Sequence, residues 1–307
     1  MSDDVTLQHN QRLQAIDPLV GAQAVLPEAS GDSIELRSKG GQALAQFNRL
    51  DLTSFLAAFS AEENHQLVAR VNSVSAMSDL LDQWDRLTRS RLTNNPDAEI
   101  SLQWPSRDVA MTRLFKRHLF SPTVNVALRR SGTPLPPDSD DLTVRTIVRD
   151  DLEAACDRWE EVVDWDNQFL DHPKRSTNRE RIREQLLAVM EDTAPWTWVA
   201  EQNGHIAGLL HLSKPADAQW IASATSVSPA CYLMCLGVDP TVRGSGVGSA
   251  LVRRAHQTLE AAQIPLTLLH YNSWNPLSGP FWNRMGYRPL TTYWTKLPSS
   301  LGPLSAA

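Results

Sequence analysis

The sequence predicts an α/β protein with a mixed sheet, and one fold written twice along the chain. Three observations carry that expectation. Strand-type and helix-type apolar patterns alternate through residues 142–298. A proline-rich segment, Ser131–Asp141 (SGTPLPPDSDD), splits the 307 residues into two parts. A thirty-residue stretch of the first part aligns without a gap on a stretch of the second. The expected organisation is a domain over 1–130, a linker over 131–141, a second domain over 142–298 and a tail over 299–307.

The elements of the second part follow from local pattern. Leu142–Val148 reads as a strand. Leu152–Val163 and Asn178–Glu191 carry apolar residues at three- and four-residue spacing and read as helices. Trp196–Glu201 and Ile206–Leu212 flank Asn203-Gly204, a two-residue turn signal, and read as a hairpin. Tyr232–Val238 is almost continuously apolar, as a buried central strand must be. Gly246–Ala262 then reads as a helix, Leu266–Tyr271 as a strand, Leu277–Met285 as a helix and Arg288–Leu297 as a strand. The order is β-α-α-β-β-β-α-β-α-β.

The internal echo lays Ile100–Arg129 over Thr267–Lys296 at an offset of 167. Ser106, Arg117 and Pro122 meet Ser273, Arg284 and Pro289. Trp104, Phe115 and Phe120 meet Tyr271, Trp282 and Tyr287, and Asp108 meets Asn275. The same offset sets Val71 on Val238, each at the end of a strand-like run. A splayed strand–helix–strand unit is therefore expected at 67–129.

Composition narrows the function classes. Apolar residues at 42% and charged residues at 21% suit a core-forming chain. A net charge of −6 argues against nucleic acid as a partner. No apolar run approaches the ~18 residues of a membrane span, and MSDDVTLQHN lacks the regions of a signal peptide. A cytoplasmic protein is expected. Cys156, Cys231 and Cys235 are odd in number and form no C-x-x-C, so reduced thiols and no metal site are expected.

Glycine is scarce at 14 residues, yet three stand within five positions: Gly244, Gly246 and Gly248. They follow the strand Tyr232–Val238 and the turn Asp239-Pro240, and lead straight into a helix. Backbone amides at a helix start point one way, and the helix dipole adds about half a positive charge. Glycines there let a phosphate approach the backbone. No lysine follows Gly248, which excludes a Walker A loop, and the spacing is not the G-x-G-x-x-G of dinucleotide folds.

The run Arg243-Gly-Ser-Gly246-Val-Gly248 resembles the pyrophosphate loop of the GCN5-related N-acetyltransferases (GNAT), Arg/Gln-x-x-Gly-x-Gly/Ala. Downstream, Leu266–Tyr271, Asn275, Phe281-Trp282 and Gly286-Tyr287 match that family's strand, asparagine and aromatic helix ending in Gly-Phe/Tyr. The resemblance covers about 142–298. It implies a tandem acyl-CoA N-acyltransferase fold whose N-terminal copy is degenerate. It implies that acetyl-CoA, without a metal, binds at Arg243, Gly244, Ser245, Gly246, Val247, Gly248 and Ser249. Its pantetheine arm would run along Leu236, Gly237 and Val238, where fourth and fifth strands part, with Asn275 and Trp282 beside it. A backbone N–H of that strand would polarise the thioester carbonyl, and an acceptor amine would attack directly.

Two positions depart from the family. Trp282 stands where many members carry a general-acid tyrosine, and indole N–H only donates. Tyr232 stands where many carry a Glu or His base. The base is left to Tyr232, to His270 on the neighbouring strand, or to an acid of the loop Asp164–His172. His211, on the third strand, is expected to face solvent, and Cys235 reads as a buried, inert thiol.

At the offset of 167, Arg243, Gly244, Gly246 and Gly248 fall on Ala76, Met77, Asp79 and Leu81. The first copy would have no phosphate cradle. The expected activity is acetyl transfer from acetyl-CoA to a small-molecule or peptide amine by the second domain. The alternative is an acyl-CoA-binding module without catalysis. Neither nucleic acid nor membrane is expected as a partner, and a homodimer is compatible with the sequence.

Overall fold

The computed structural model describes residues 2–91, 95–136, 142–170 and 173–297. The tail at 299–307, linker residues 137–141, and Asp171 and His172 of the acidic loop lie outside the described residues. The first half runs α1 (Ser2–Ile16), β1 (Ser33–Ser38), β2 (Gly41–Arg49), β3 (Glu63–Val71), α2 (Val74–Arg91), β4 (Ala98–Pro105), α3 (Val109–Arg117) and β5 (Ser121–Arg130). The second runs β6 (Thr143–Thr146), α4 (Leu152–Asp166), α5 (Asn178–Met190), β7 (Thr197–Gln202), β8 (His205–Ser213), α6 (Gln219–Ala222) and β9 (Ala230–Val238). It ends with α7 (Val247–Ala261), β10 (Leu266–Asn272), α8 (Ser278–Arg284) and β11 (Arg288–Lys296). Each second-half element expected from pattern is present. The short helix α6 is additional.

Among the described residues eleven strands form one mixed sheet, ordered β1-β2-β3-β4-β11-β5-β10-β9-β8-β7-β6. The last strand of each half is exchanged. β5 lies between β10 and β11, and β11 lies between β4 and β5. At the centre Asn125 stands opposite Thr292, its own counterpart at the offset of 167. The Thr292 hydroxyl donates to Asn125 Oδ1 at 2.8 Å. An approximate two-fold therefore passes through this pair, perpendicular to the sheet. It maps the β4·β11 pairing onto β10·β5: Thr291 faces Pro105, and their counterparts Val124 and Asn272 face each other.

The repeat holds from the hairpins onward, whereas β6, α6 and one of the helices α4 and α5 have no counterpart among the described residues of the first half. β3 and β9 coincide end to end at 167. The hairpins β1–β2 and β7–β8 coincide at 164, because the β8–β9 connection that carries α6 is three residues longer. One sheet face packs α2 and α3 over Leu80, Trp84, Ile100 and Phe115, and α7 and α8 over Leu251, Leu269 and Met285. The opposite face packs α4 and α5 over Trp159, Ile182 and Val199. There α1 and the segment around α6 cover Val126, Tyr232, Leu268 and Leu290. Among the described residues no helix is long and apolar enough to cross a membrane.

Candidate active site

The site begins with a fault in the sheet. β9 and β10 pair in parallel from Ala230–Leu266 to Leu233–Leu269, and there the pairing stops. β9 continues along β8 to Val238, but its register slips: Leu233 faces Leu212, while Cys235 faces His211. Met234 is the extra residue of a β-bulge, which bends the strand and opens a gap. From Met234 to Val238 the backbone has β8 on one side and no strand on the other.

The glycine loop stands at the end of that free edge. Asp239 accepts hydrogen bonds from the Thr241 amide and hydroxyl at 2.8 and 2.6 Å and pairs with Arg158 at 2.6 Å. The Thr241 bonds lead in holding its carboxyl down to about 2. Gly244 and Gly246 adopt φ of +87° and +97°, a region that L side chains avoid. Gly246 caps α7 without a side-chain bond, and the first helical amide to find a carbonyl is that of Ala250. The amides of Val247, Gly248 and Ser249 thus leave the helix end unbonded. A Cβ on Gly248 would lie 3.3 Å from the Phe281 ring, so α7 and α8 approach here as closely as glycine allows. A Cβ on Gly237 would meet the Arg158 carbonyl at 2.4 Å, which brings α4 down on the free edge.

Helix α4 ends across the mouth of this gap. Arg243 lies over the Trp165 ring at 5.1 Å. The Trp165 indole N–H donates to Asn275 Oδ1 at 3.2 Å, and Asn275 Nδ2 donates to Asp166 Oδ1 at 2.9 Å. Asn275 also accepts the Leu277 and Ser278 amides, fixing the start of α8. Burial pushes the Asp166 carboxyl up to about 6 against the Asn275 hydrogen bond. Asp164 instead points outward and pairs with Lys174.

The remaining expected residues divide between the faces. Leu236 and Val238 pack toward α7, and Ser245 bonds the Val242 carbonyl. Trp282 is buried in the core, edge-on to Phe281 and Tyr287. Tyr232 and His270 lie on the α4 face, where parallel pairing is about to end. Tyr232 Oη is 2.8 Å from His270 Nδ1. Trp220, 55% exposed, stacks on His270 and meets Tyr232 edge-on. Burial raises the Tyr232 hydroxyl and lowers His270 to about 4. His211, expected to face solvent, is instead buried between strands, 2.8 Å from Thr197 Oγ1, and lowered to about 4 by burial. Cys235 is buried, and its thiol is raised by burial first and then by Asp166. Sequence reading placed an acid in this loop without singling out Asp166. Its orientation depends on Asn275, more than a hundred residues away.

The first half has the same gap, filled from within. β3 and β4 pair from Glu63–Ala98 to Leu67–Leu102, and β3 runs on to Val71. His9 of α1 enters there. Its Nδ1 lies 3.2 Å from the Val71 amide nitrogen and 3.1 Å from the Val71 carbonyl oxygen, and its ring packs on Trp104. Burial lowers His9 to about 4, so the ring is neutral there. α2 starts three residues after β3, and Ala76, Met77 and Leu81 are buried in its core face.

A mixed sheet opened by a bulge beside a glycine-led helix is the architecture of the GNAT fold. Residues 159–287 match the model of the Acetyltransferase (GNAT) family. Mycothiol acetyltransferase of Acidothermus cellulolyticus is 26% identical over 165 residues, 50% of this chain and 48% of that protein. The match thus spans about half the length of that curated relative. The GCN5-related N-acetyltransferase from Sphaerobacter thermophilus shares the fold over 96% of this chain and 93% of its own, with a TM-score of 0.60 and 14% identity.

Proposed function

We propose that the chain is an N-acetyltransferase that moves the acetyl group of acetyl-CoA to the amine of a small-molecule or peptide acceptor. The second half is the active one. The observation that carries this reading is the free edge Met234–Val238 ending at the unbonded amides of α7. Acetyl-CoA supplies an activated thioester. The amides of Val247, Gly248 and Ser249, with Gly244, Ser245, Gly246 and Arg243, hold its pyrophosphate. The free edge at Leu236, Gly237 and Val238 takes the peptide-like pantetheine arm as a strand would. One of its N–H groups polarises the thioester carbonyl. Asn275 flanks the arm. Trp282 backs Phe281, which forms the wall against Gly248.

Tyr232 and His270 face the acceptor side. Burial keeps the phenol protonated and the imidazole neutral, so the pair offers hydrogen bonds rather than charge. No general acid is required of Trp282, because a thiol with a pKa near ~8.5 leaves readily. The first half binds no coenzyme in this reading: His9 holds its free edge and no glycine loop leads its α2.

The test is to incubate the protein with acetyl-CoA and a panel of primary amines, amino acids, aminoglycosides and lysine peptides while measuring free thiol. Amine-dependent thiol release is expected. Coenzyme binding with no release from any member of the panel would instead mark a non-catalytic acyl-CoA-binding module.

A further inference from the structure

The geometry points to Asp166 as the catalytic base, the carboxylate that receives the acceptor's ammonium and takes its proton. This rests on the acetyl-transfer reading and deepens it. The pseudo-two-fold makes the case. Asp108, the counterpart of Asn275, stands at the start of α3. It accepts the Trp104 indole N–H at 2.7 Å and pairs with Arg12 of α1 at 2.5 Å. In each half, then, the helix that lies over the matching strand, β3 or β9, is bolted to the small helix through one polar residue. In the first half the bolt is a completed ion pair. In the second it joins an acid, Asp166, to a neutral amide, Asn275.

Asp166 is therefore left with a hydrogen bond but no cation among the described residues. Its surroundings are otherwise accounted for. Cys235 on β9 and the Tyr232–His270 pair on β9 and β10 are uncharged. On its own helix Asp164 is engaged by Lys174. Arg243, the nearby cation, lies over Trp165. Asp166 also acts on the thiol of Cys235, within the free-edge segment. An uncompensated carboxylate beside the proposed thioester seat is what a cationic amine would complete. A carboxyl raised to about 6 is also better matched to accepting a proton near neutrality than an exposed one.

The step balances as follows. The acceptor arrives as R–NH3+, and Asp166 takes one proton and becomes a carboxylic acid. The freed lone pair forms the C–N bond at the thioester carbonyl. The C–S bond breaks with its electron pair on sulfur. A second proton passes from nitrogen to the thiolate, giving the amide and coenzyme A. Asp166 then returns its proton to water.

The test compares wild type, Asp166→Asn and Asp166→Glu with the best amine of the panel, and measures coenzyme A binding by calorimetry alongside. Wild-type kcat/KM should rise through an inflection near pH 6. Asp166→Asn should lose a hundredfold or more, lack that inflection and bind coenzyme A within about twofold of wild type; Asp166→Glu should recover part of the rate. Asp166→Asn that keeps its rate within threefold, or keeps the inflection, overturns the assignment. Lost coenzyme binding in Asp166→Asn overturns it too, because Asp166 would then act by positioning Asn275. If wild type itself binds no coenzyme A, or acetylates no amine, the underlying reading fails instead.

Discussion

At the scale of single residues, five histidines lowered by burial set how the protein meets acid, His65 among them. Burial lowers His9, His211 and His270 to about 4 and His256 to about 3. Each stays neutral in the folded chain well below 6.5, whereas the unfolded chain takes up its proton near that ordinary value. A depressed histidine binds its proton more weakly when folded, so stability is complete above about 6.5 and is lost as pH falls toward 4. Asp166, raised to about 6, and Glu161, raised by burial, have the opposite sign and are two groups against five. The urea midpoint should therefore fall between pH 7 and pH 5. His9 adds a second expectation. His9→Leu leaves the buried backbone of Val71 without its side-chain partner, at a cost of about 1–3 kcal/mol in urea unfolding, with coenzyme A affinity unchanged.

At the scale of elements, periodicity made the second half legible almost to the residue, since strands and helices there bury one face each. The glycine loop was legible because Gly244 and Gly246 occupy backbone angles that few other residues tolerate. The bulge at Met234 was not, because a bulge is a mismatch between two strands and leaves no mark in one of them. The role of α1 in filling the first gap was equally hidden: nothing local ties His9 to Val71, 62 positions away. Asp166 belongs with these, visible as an acid but not as an inward-facing one. The close approach of α7 and α8 makes its own prediction. Gly248→Val drives a branched side chain into Phe281 and should cost about 1–3 kcal/mol of stability. It should weaken coenzyme A binding at least tenfold, read by calorimetry.

At the scale of the whole molecule, the exchange of final strands is the main fact that composition and pattern could not show. The repeat at 167 was visible in Ser106, Arg117 and Pro122 against Ser273, Arg284 and Pro289. Strand pairing between halves is non-local and left no such trace. β5 fills the place between β10 and β11, so the second half alone would have a missing strand in the middle of its sheet. Cutting the chain between Pro136 and Pro137 should give two fragments that fail to fold singly and copurify when expressed together. A monomeric, folded second-half fragment would contradict this. The architecture also makes the halves unequal partners: both open a gap beside a parallel pair, and one closes it with its own histidine.

The central claim is that one chain holds one coenzyme A, on the free edge of β9 and the start of α7. Calorimetric titration of coenzyme A into wild type and Gly246→Asp tests it most directly. The substitution puts a carboxylate and a side chain where the backbone has φ of +97° and three amides point outward. The account predicts one site per chain in wild type and no binding in Gly246→Asp. Two sites per chain, or undiminished binding by the variant, would contradict it.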